Sequence, residues 1–315
     1  MAAALARERW FRGQAMSDEV ASSPNAADIN PTYAAARRVL LDALTALAPQ
    51  ARAVVVAGAQ AIYLRTGGGD VAITVAPYTT DGDLVLDPSQ LEDVPELETA
   101  MSGAGFELLL QERGHVEPGI WIATTTLDGA EFTVPIDLIV PEGVAGGRGR
   151  RAARLGVHGN RAARRAIGLE AALVDRSEMT IRALEPGDNR SVVTNVAGVA
   201  ALFVAKLHKL HDRVDDGPDR RRKDKDAADV IRLMQSTSAR EVGATLAALS
   251  TNEIAGAVST NALAYIDELF GRRGRMGIQM SVRALRLGMP EERVEALSVA
   301  YTAALLASAS ETPAS

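Results

Sequence analysis

The chain has 315 residues, 47% of them apolar, 4% aromatic and 23% charged, with a net charge of -6 at pH 7 and no cysteine. That composition describes a globular chain long enough for one large domain or two ordinary ones, and it excludes a disordered, collagenous or coiled-coil protein. Without cysteine there is no disulfide partner, Cys-ligated zinc, iron–sulfur cluster or thiol nucleophile, and with four histidines in all, His115, His158, His208 and His211, a His-rich metal site is not expected. The acidic balance argues against indiscriminate nucleic-acid binding but leaves room for a local basic patch. The longest apolar stretch, 196–205, has about half the ~20 residues of a membrane span, so we expect no membrane and a cytoplasmic location. Residues 1–30 read as a disordered tail with Met16 as an alternative start, and residues 309–315 as a second tail.

Between the tails the apolar pattern alternates strand and helix. Residues 33–48 repeat apolar positions at three and four, as an amphipathic helix does, and Pro49 ends them. The β-branched run 52–57 stops at Gly58, and 59–65 then reads as a helix closed by the glycines at 67–69. Strands are expected at 71–75 and 82–86, then a helix over 92–103 with Pro95 in its first turn. Further strands follow at 106–111, 121–127 and 131–140, the last two joined by Asp128-Gly129, a hairpin signal. The Gly- and Arg-rich segment 143–165 looks exposed. Short strands at 179–184 and 191–195 precede a half that is helical apart from a loop over 215–222. The expected fold is α+β: a lobe with a mixed sheet over 31–195, then a mainly helical lobe over 196–308.

Three acidic residues draw attention first. Asp81 and Asp83 flank Gly82 at the start of a strand and project to one face, where two like charges need a cation between them. Oxygen ligands suit a divalent metal such as Mg2+, although an Asp-Gly turn before a strand gives the same pattern. Asp137 lies in the apolar run 133–140, where an ionised carboxylate must be paired, metal-bound or turned to water at a sheet edge. Three carboxylates on neighbouring strands can support phosphoryl or nucleotidyl transfer.

The basic residues add a second signal. Of 34 Lys plus Arg, the only lysines are Lys206, Lys209, Lys223 and Lys225, all in one short window of an otherwise Arg-only chain. A lysine kept under such a bias marks a place where a compact ammonium differs from a guanidinium, unless the window is a solvated helix face. Lys206, Lys209 and Arg213 flank the apolar helical stripe Val199, Phe203, Leu207, Leu210 and Val214, from which they could grip phosphate oxygens. Lys225 and Asp229 are four apart on the next helix, which also fits an ordinary intrahelical pair.

In this order the pieces resemble the AbiEii-type nucleotidyltransferase toxins, and among them the MenT-like toxins of toxin–antitoxin systems. The resemblance rests on Gly58-Ala59 after a strand, Thr79-Thr80-Asp81-Gly82-Asp83-Leu84, Asp137, the segment 205–210 with Arg213, and Lys225-Asp226-Ala227-Ala228-Asp229. It implies a nucleotidyltransferase-fold lobe joined to a helical lobe. Asp81, Asp83 and Asp137 would hold Mg2+ or Mn2+, with Asp137 supporting the hydroxyl nucleophile. Lys206 would hold the phosphates of a nucleoside triphosphate, and Asp229 would complete the catalytic set from the helical lobe. Gly58, Lys209, Lys225 and Asp226 would line the nucleotide site. The chain departs from the family's Gly-Ser in having Gly58-Ala59, and Arg65 with the 67–69 turn is an alternative phosphate contact.

The implied activity is transfer of a nucleoside monophosphate to the 3′ end of tRNA, blocking aminoacylation and translation, under control of a cognate antitoxin protein. Arg148, Arg150, Arg151, Arg154, Arg161, Arg164 and Arg165, with the Arg220–Arg222 run, would face the RNA backbone. Thr79 and Thr80, beside the metal acids, are candidate regulatory modification sites. Two alternatives share the fold: a small-molecule nucleotidyltransferase of the antibiotic-modifying kind, and a non-catalytic nucleotide- or RNA-binding module.

Overall fold

The computed structural model describes residues 29–67, 79–111, 114–127, 129–146, 151–212 and 220–311, with side chains from 224 onward in the last of these. The expected strand 71–75, the glycines at 68 and 69, Asp128, Arg148, Arg150, Arg213 and Val214 lie outside the described residues. So do most of residue range 1–30 and the last four residues.

Nine helices and eight strands are present among the described residues. One mixed sheet runs in the order β3 (Glu107–Leu110), β4 (Val116–Leu127), β5 (Ala130–Pro141), β2 (Gly82–Leu86), β1 (Val54–Ala57), β8 (Ser191–Ala197), β7 (Arg176–Arg182), with β6 (Arg164–Ala166) added to β5. β1 pairs with β8, β2 with β5, and β5 with β6 in parallel; the other pairs are antiparallel. All four residues of β1 are buried, which is why Val54-Val55-Val56-Ala57 shows no alternation. The expected mixed α+β class is therefore what the chain adopts.

Helix α1 (Pro31–Ala46) is capped by Asn30, whose side chain accepts the amides of Thr32 and Tyr33, and its apolar stripe covers one face of the sheet. The cover is close: a Cβ at Gly82 would come within 2.8 Å of Ile136 and 3.3 Å of Leu40. Residue 82 thus faces α1, and by alternation Asp83 faces the opposite side. On that side lie α2 (Gly58–Thr66) and α4 (Val199–Asp212). α4 is buried almost all round, and it packs against α2, α5 (Arg220–Ser236) and α7 (Gly256–Phe270). Helices α6 (Ala239–Ser250), α8 (Met276–Leu285) and α9 (Glu291–Ser310) complete the helical half, with Phe203 of α4 stacked on Tyr301 of α9.

Four expectations need correction. Helix α3 spans Leu97–Gly103 and does not begin at 92, so Pro95 precedes it. Gln50 explains this: its amide donates to the carbonyls of Glu92 and Pro95 and its oxygen accepts the Glu92 amide, occupying groups that a helix would need. Segment 143–165 is not simply exposed. Ala153, Leu155, His158, Ala162 and Ala163 are buried, with Trp121 donating to the Ala162 carbonyl and Leu97 to His158 Nδ1. Arg220–Arg222 begin a helix and are not part of a loop. At the end of the chain, α9 continues to Ser310, anchored where buried Ser308 donates to the Arg240 carbonyl.

Candidate active site

β2 and β5 are parallel neighbours in a register that sets Asp83 directly opposite Asp137. Both side chains therefore share the sheet face away from α1, and Asp81 joins them two residues before Asp83. Gly58, the first residue of α2, lies under this group. Its φ of +63° is one that side-chain-bearing residues seldom adopt, and a Cβ there would fall 1.8 Å from Asp83 Oδ2. A glycine between β1 and α2 thus admits the Asp83 carboxylate.

The charges are unevenly balanced. Burial, reinforced by repulsion from Asp81 and Asp137, pushes Asp83 up to about 6 despite Lys209 and Arg164 nearby. Asp137 is also raised: burial outweighs the attraction of Arg164, which donates from Nε at 3.2 Å and from Nη2 to the same Oδ2. Asp81 accepts a short hydrogen bond from Thr79, and Thr79 in turn accepts one from Lys225 at 3.4 Å. Oxygen donors of this kind suit a divalent cation, yet among the described residues no group of three or more His, Asp or Glu is disposed to hold a metal ion. As placed, the acids do not fit one, because a guanidinium already occupies Asp137.

Facing the acids, α4 and α5 meet through a buried ion cluster. Lys206 Nζ donates to Asp226 at 2.6 Å and to Asp229 at 2.7 Å, and Lys209 reaches Asp226 at 3.1 Å. Burial alone would pull Lys206 down, but the two carboxylates overcome it and hold the ammonium well above its ordinary range. Burial likewise opposes ionisation of Asp226, and Lys206 and Lys209 reverse that, lowering it to about 2. The cluster is firmly charged on both sides.

Between sheet and α4 lies a cavity of about 290 Å³. Gly58, Asp83, Arg164, Lys206, Lys209 and Asp212 supply its polar lining, and Ile139, Ala166, Ile167, Leu169 and Ala205 its apolar wall. The structure therefore brings Gly58, Asp83, Lys206 and Lys209 onto one cavity, with Asp137 behind Arg164 and Asp226 and Asp229 behind Lys206. Lys225, Thr79 and Asp81 are hydrogen-bonded in series, and Asp81 lies close enough to Asp83 to repel its charge.

Other predicted residues lie elsewhere or are engaged differently. Arg65 is not brought to the cavity: it donates to the carbonyls of Val196 (2.6 Å) and Ala197 (3.0 Å) and to Ser177 Oγ, stapling α2 to the end of β8. Arg151 pairs with Glu117, Arg161 with Glu98 and Arg165 with Glu142. Arg154 is exposed. Thr79 is fully buried, so of the two threonines only Thr80 has exposed surface.

Sequence reasoning missed Asp212 and the apolar wall, and it placed Arg164 on an RNA surface. Strand alternation is the signal for the latter: on β6, Arg164 turns into the cavity and Arg165, only 7% exposed, points the other way toward Glu142.

No family model and no curated protein matches the chain. Among solved structures it is similar to an antigenic nucleotidyltransferase-like protein from Paracoccidioides brasiliensis, with a TM-score of 0.38, 14% identity, and 75% of this chain and 87% of that chain covered. A likeness that loose fixes no function. No described helix is long and apolar enough to cross a membrane.

Proposed function

We propose that the chain is a nucleotidyltransferase, moving a nucleoside monophosphate from a nucleoside triphosphate onto an acceptor hydroxyl. The observation that carries this reading is the juxtaposition of Asp83 and Asp137 on adjacent parallel strands, with Asp81 beside them, beneath a cavity whose opposite wall is Lys206 and Lys209. Acids on one side and ammonium groups on the other are what an in-line displacement at phosphorus needs. The acceptor oxygen attacks the α-phosphorus, the bond to the β-phosphate oxygen breaks, and pyrophosphate leaves. The acceptor proton passes to Asp137, whose raised proton affinity suits a base. Lys209, with 43% of its side chain exposed, meets the phosphates, and Lys206, held by Asp226 and Asp229, fixes the positive wall. Mg2+ or Mn2+, expected at these acids from the sequence, takes no part in this reading, because the Arg164 guanidinium stands against Asp137.

For the acceptor we propose the 3′ end of tRNA, with the chain a cytoplasmic toxin restrained by a cognate antitoxin, as the sequence resemblance implies. One observation favours a second reading, a small-molecule hydroxyl acceptor: of the arginines expected to meet RNA, Arg151 and Arg161 are paired with carboxylates, and Arg165, paired with Glu142, is only 7% exposed. Incubating the protein with Mg2+, total tRNA and each α-labelled nucleoside triphosphate, beside Asp81→Ala/Asp83→Ala, tests both. Label on tRNA with the wild type alone supports the first reading. Pyrophosphate release only with small hydroxyl compounds supports the second, and no transfer to any acceptor refutes nucleotidyl transfer.

A further inference from the structure

We propose that the outer edge of β7 is a docking surface for the same strand of a second copy of this chain, so that two molecules join through one continuous antiparallel sheet centred on Thr180. The inference is independent of the nucleotidyl-transfer reading. β7 ends the sheet, with β8 on one side and no described strand on the other.

This edge is unguarded. The register with β8 is unbroken over all seven residues of β7, and the strand contains neither proline nor glycine. The opposite edge of the sheet is different: β3 has four residues and its register with β4 shifts between Leu108 and Leu110, both common protections of an edge. The direction of the free backbone groups follows from the bonds at the two ends of β7. The Ala183 amide donates to the Arg190 carbonyl at 3.0 Å, and the Gly198 amide donates to the Asp175 carbonyl at 2.7 Å. Odd-numbered residues therefore address β8, and by alternation Arg176, Glu178, Thr180 and Arg182 turn their N–H and C=O groups outward. Of these, the Arg182 carbonyl accepts Arg37 Nη1 from α1 at 3.3 Å, which leaves its second lone pair for a partner strand.

Side-chain charge selects the partner and the register. Glu178, Thr180 and Arg182 are exposed on the face where Val193 of β8, 61% exposed, stands opposite Thr180. Neither Glu178 nor Arg182 has an ion-pair partner among the described residues. Because the outward backbone groups belong to even-numbered residues, two β7 strands pair only where even faces even. A two-fold axis at Glu178 sets that carboxylate against itself, and one at Met179 sets Arg176 against Arg182 twice. An axis at Thr180 sets Glu178 against Arg182 of the second copy twice, with the two threonine hydroxyls meeting between them, and such pairs favour cross-strand association. Axes farther from the middle leave less of the strands overlapping. One strand thus carries both halves of the match, which identifies its occupant as a second copy related by a two-fold axis.

Sedimentation equilibrium of the wild type across micromolar concentrations should show a reversible dimer. Glu178→Arg and Arg182→Glu each turn two attractions into repulsions and should weaken that dimer about tenfold or more. Mixed in equal amounts, the two variants should recover wild-type association, because the arginines of one copy then face the glutamates of the other. Thr180→Pro removes an N–H that points away from β8, so it should leave the monomer folded in circular dichroism melts and abolish the dimer. If Thr180→Pro does not fold, the charge variants, which alter only exposed side chains, carry the test alone. A wild type that stays monomeric overturns the proposal and leaves this edge to another occupant. A dimer that neither charge variant weakens, or that the mixture fails to restore, also overturns it, because its interface then lies elsewhere.

Discussion

Lys206→Met removes the ammonium at the centre of the α4–α5 ion cluster while keeping a side chain of similar length. In the wild type Lys206 bonds Asp226 at 2.6 Å and Asp229 at 2.7 Å, and all three side chains are at most 8% exposed. Removing one partner from a buried ion pair costs about 3–5 kcal/mol, because the remaining charge is stranded. Here the loss is not shared equally: Asp226 keeps Lys209 at 3.1 Å, and Asp229 loses its hydrogen-bonded cation. Most of the penalty therefore resides on Asp229, and Lys206→Met/Asp229→Asn should recover about half of it or more.

The same variant has a pH signature. Asp226 is held down at about 2 in the folded chain, so its contribution is present above the ordinary carboxylate range and is lost as pH falls toward 2. Because Lys206 is the first of its favourable partners, the stability gap between wild type and Lys206→Met should be open at pH 7 and narrow below about pH 4. Urea unfolding at pH 7 and at pH 3.5 measures both effects. A variant within about 1 kcal/mol of wild type at pH 7, or one that Asp229→Asn fails to rescue, would refute the argument that the cluster is a tightly coupled buried unit.

Other substitutions separate architecture from chemistry. Gly58→Ala should cost about 1–2 kcal/mol from its left-handed backbone and, by displacing the Asp83 carboxylate, should reduce nucleotide transfer far more than it reduces stability; parallel urea and transfer assays compare the two. Asp83→Asn should abolish transfer yet stabilise the fold. An acid raised to about 6 makes wild-type stability fall as pH climbs from about 4 to 6, so the variant's advantage should be absent at pH 4 and reach at most about 3 kcal/mol in melts at pH 7.5. Arg65→Met should lower stability by about 1–3 kcal/mol through the orphaned carbonyls of Val196 and Ala197, with nucleotide affinity in calorimetry unchanged.

Local patterns were legible in the sequence wherever one periodicity decided the outcome. The buried run at β1, the pair Asp81 and Asp83 on one strand face, and the apolar stripe of α4 follow from side-chain alternation and helical spacing alone. What bridges distant segments was not legible. Nothing in 81–86 or 130–141 states that these strands pair in parallel with Asp83 against Asp137, because that register is set by how α1 and the helices cover the two faces. Gln50 shortens α3 through a loop contact with no sequence periodicity. Arg164 was hidden by its neighbours: in a run of arginines only the pairing of β6 with β5 distinguishes the residue that enters the cavity from those that pair with Glu142, Glu117 and Glu98.

The use of lysine in an otherwise Arg-only chain also acquires a physical reason. Between Asp226 and Asp229 the space admits a single nitrogen within 2.7 Å of both carboxylates, which a tetrahedral ammonium satisfies with two of its three protons. A planar guanidinium needs a wider gap and would leave several donors buried without partners. At Asp137 the requirement is the reverse. The pair is less buried, Arg164 being 31% and Asp137 18% exposed, and two nitrogens of one planar group converge on a single carboxylate oxygen, which a compact ammonium does not offer. Lysine where one nitrogen bridges two buried carboxylates and arginine where two nitrogens converge on one oxygen is one electrostatic logic, applied on opposite walls of the same cavity.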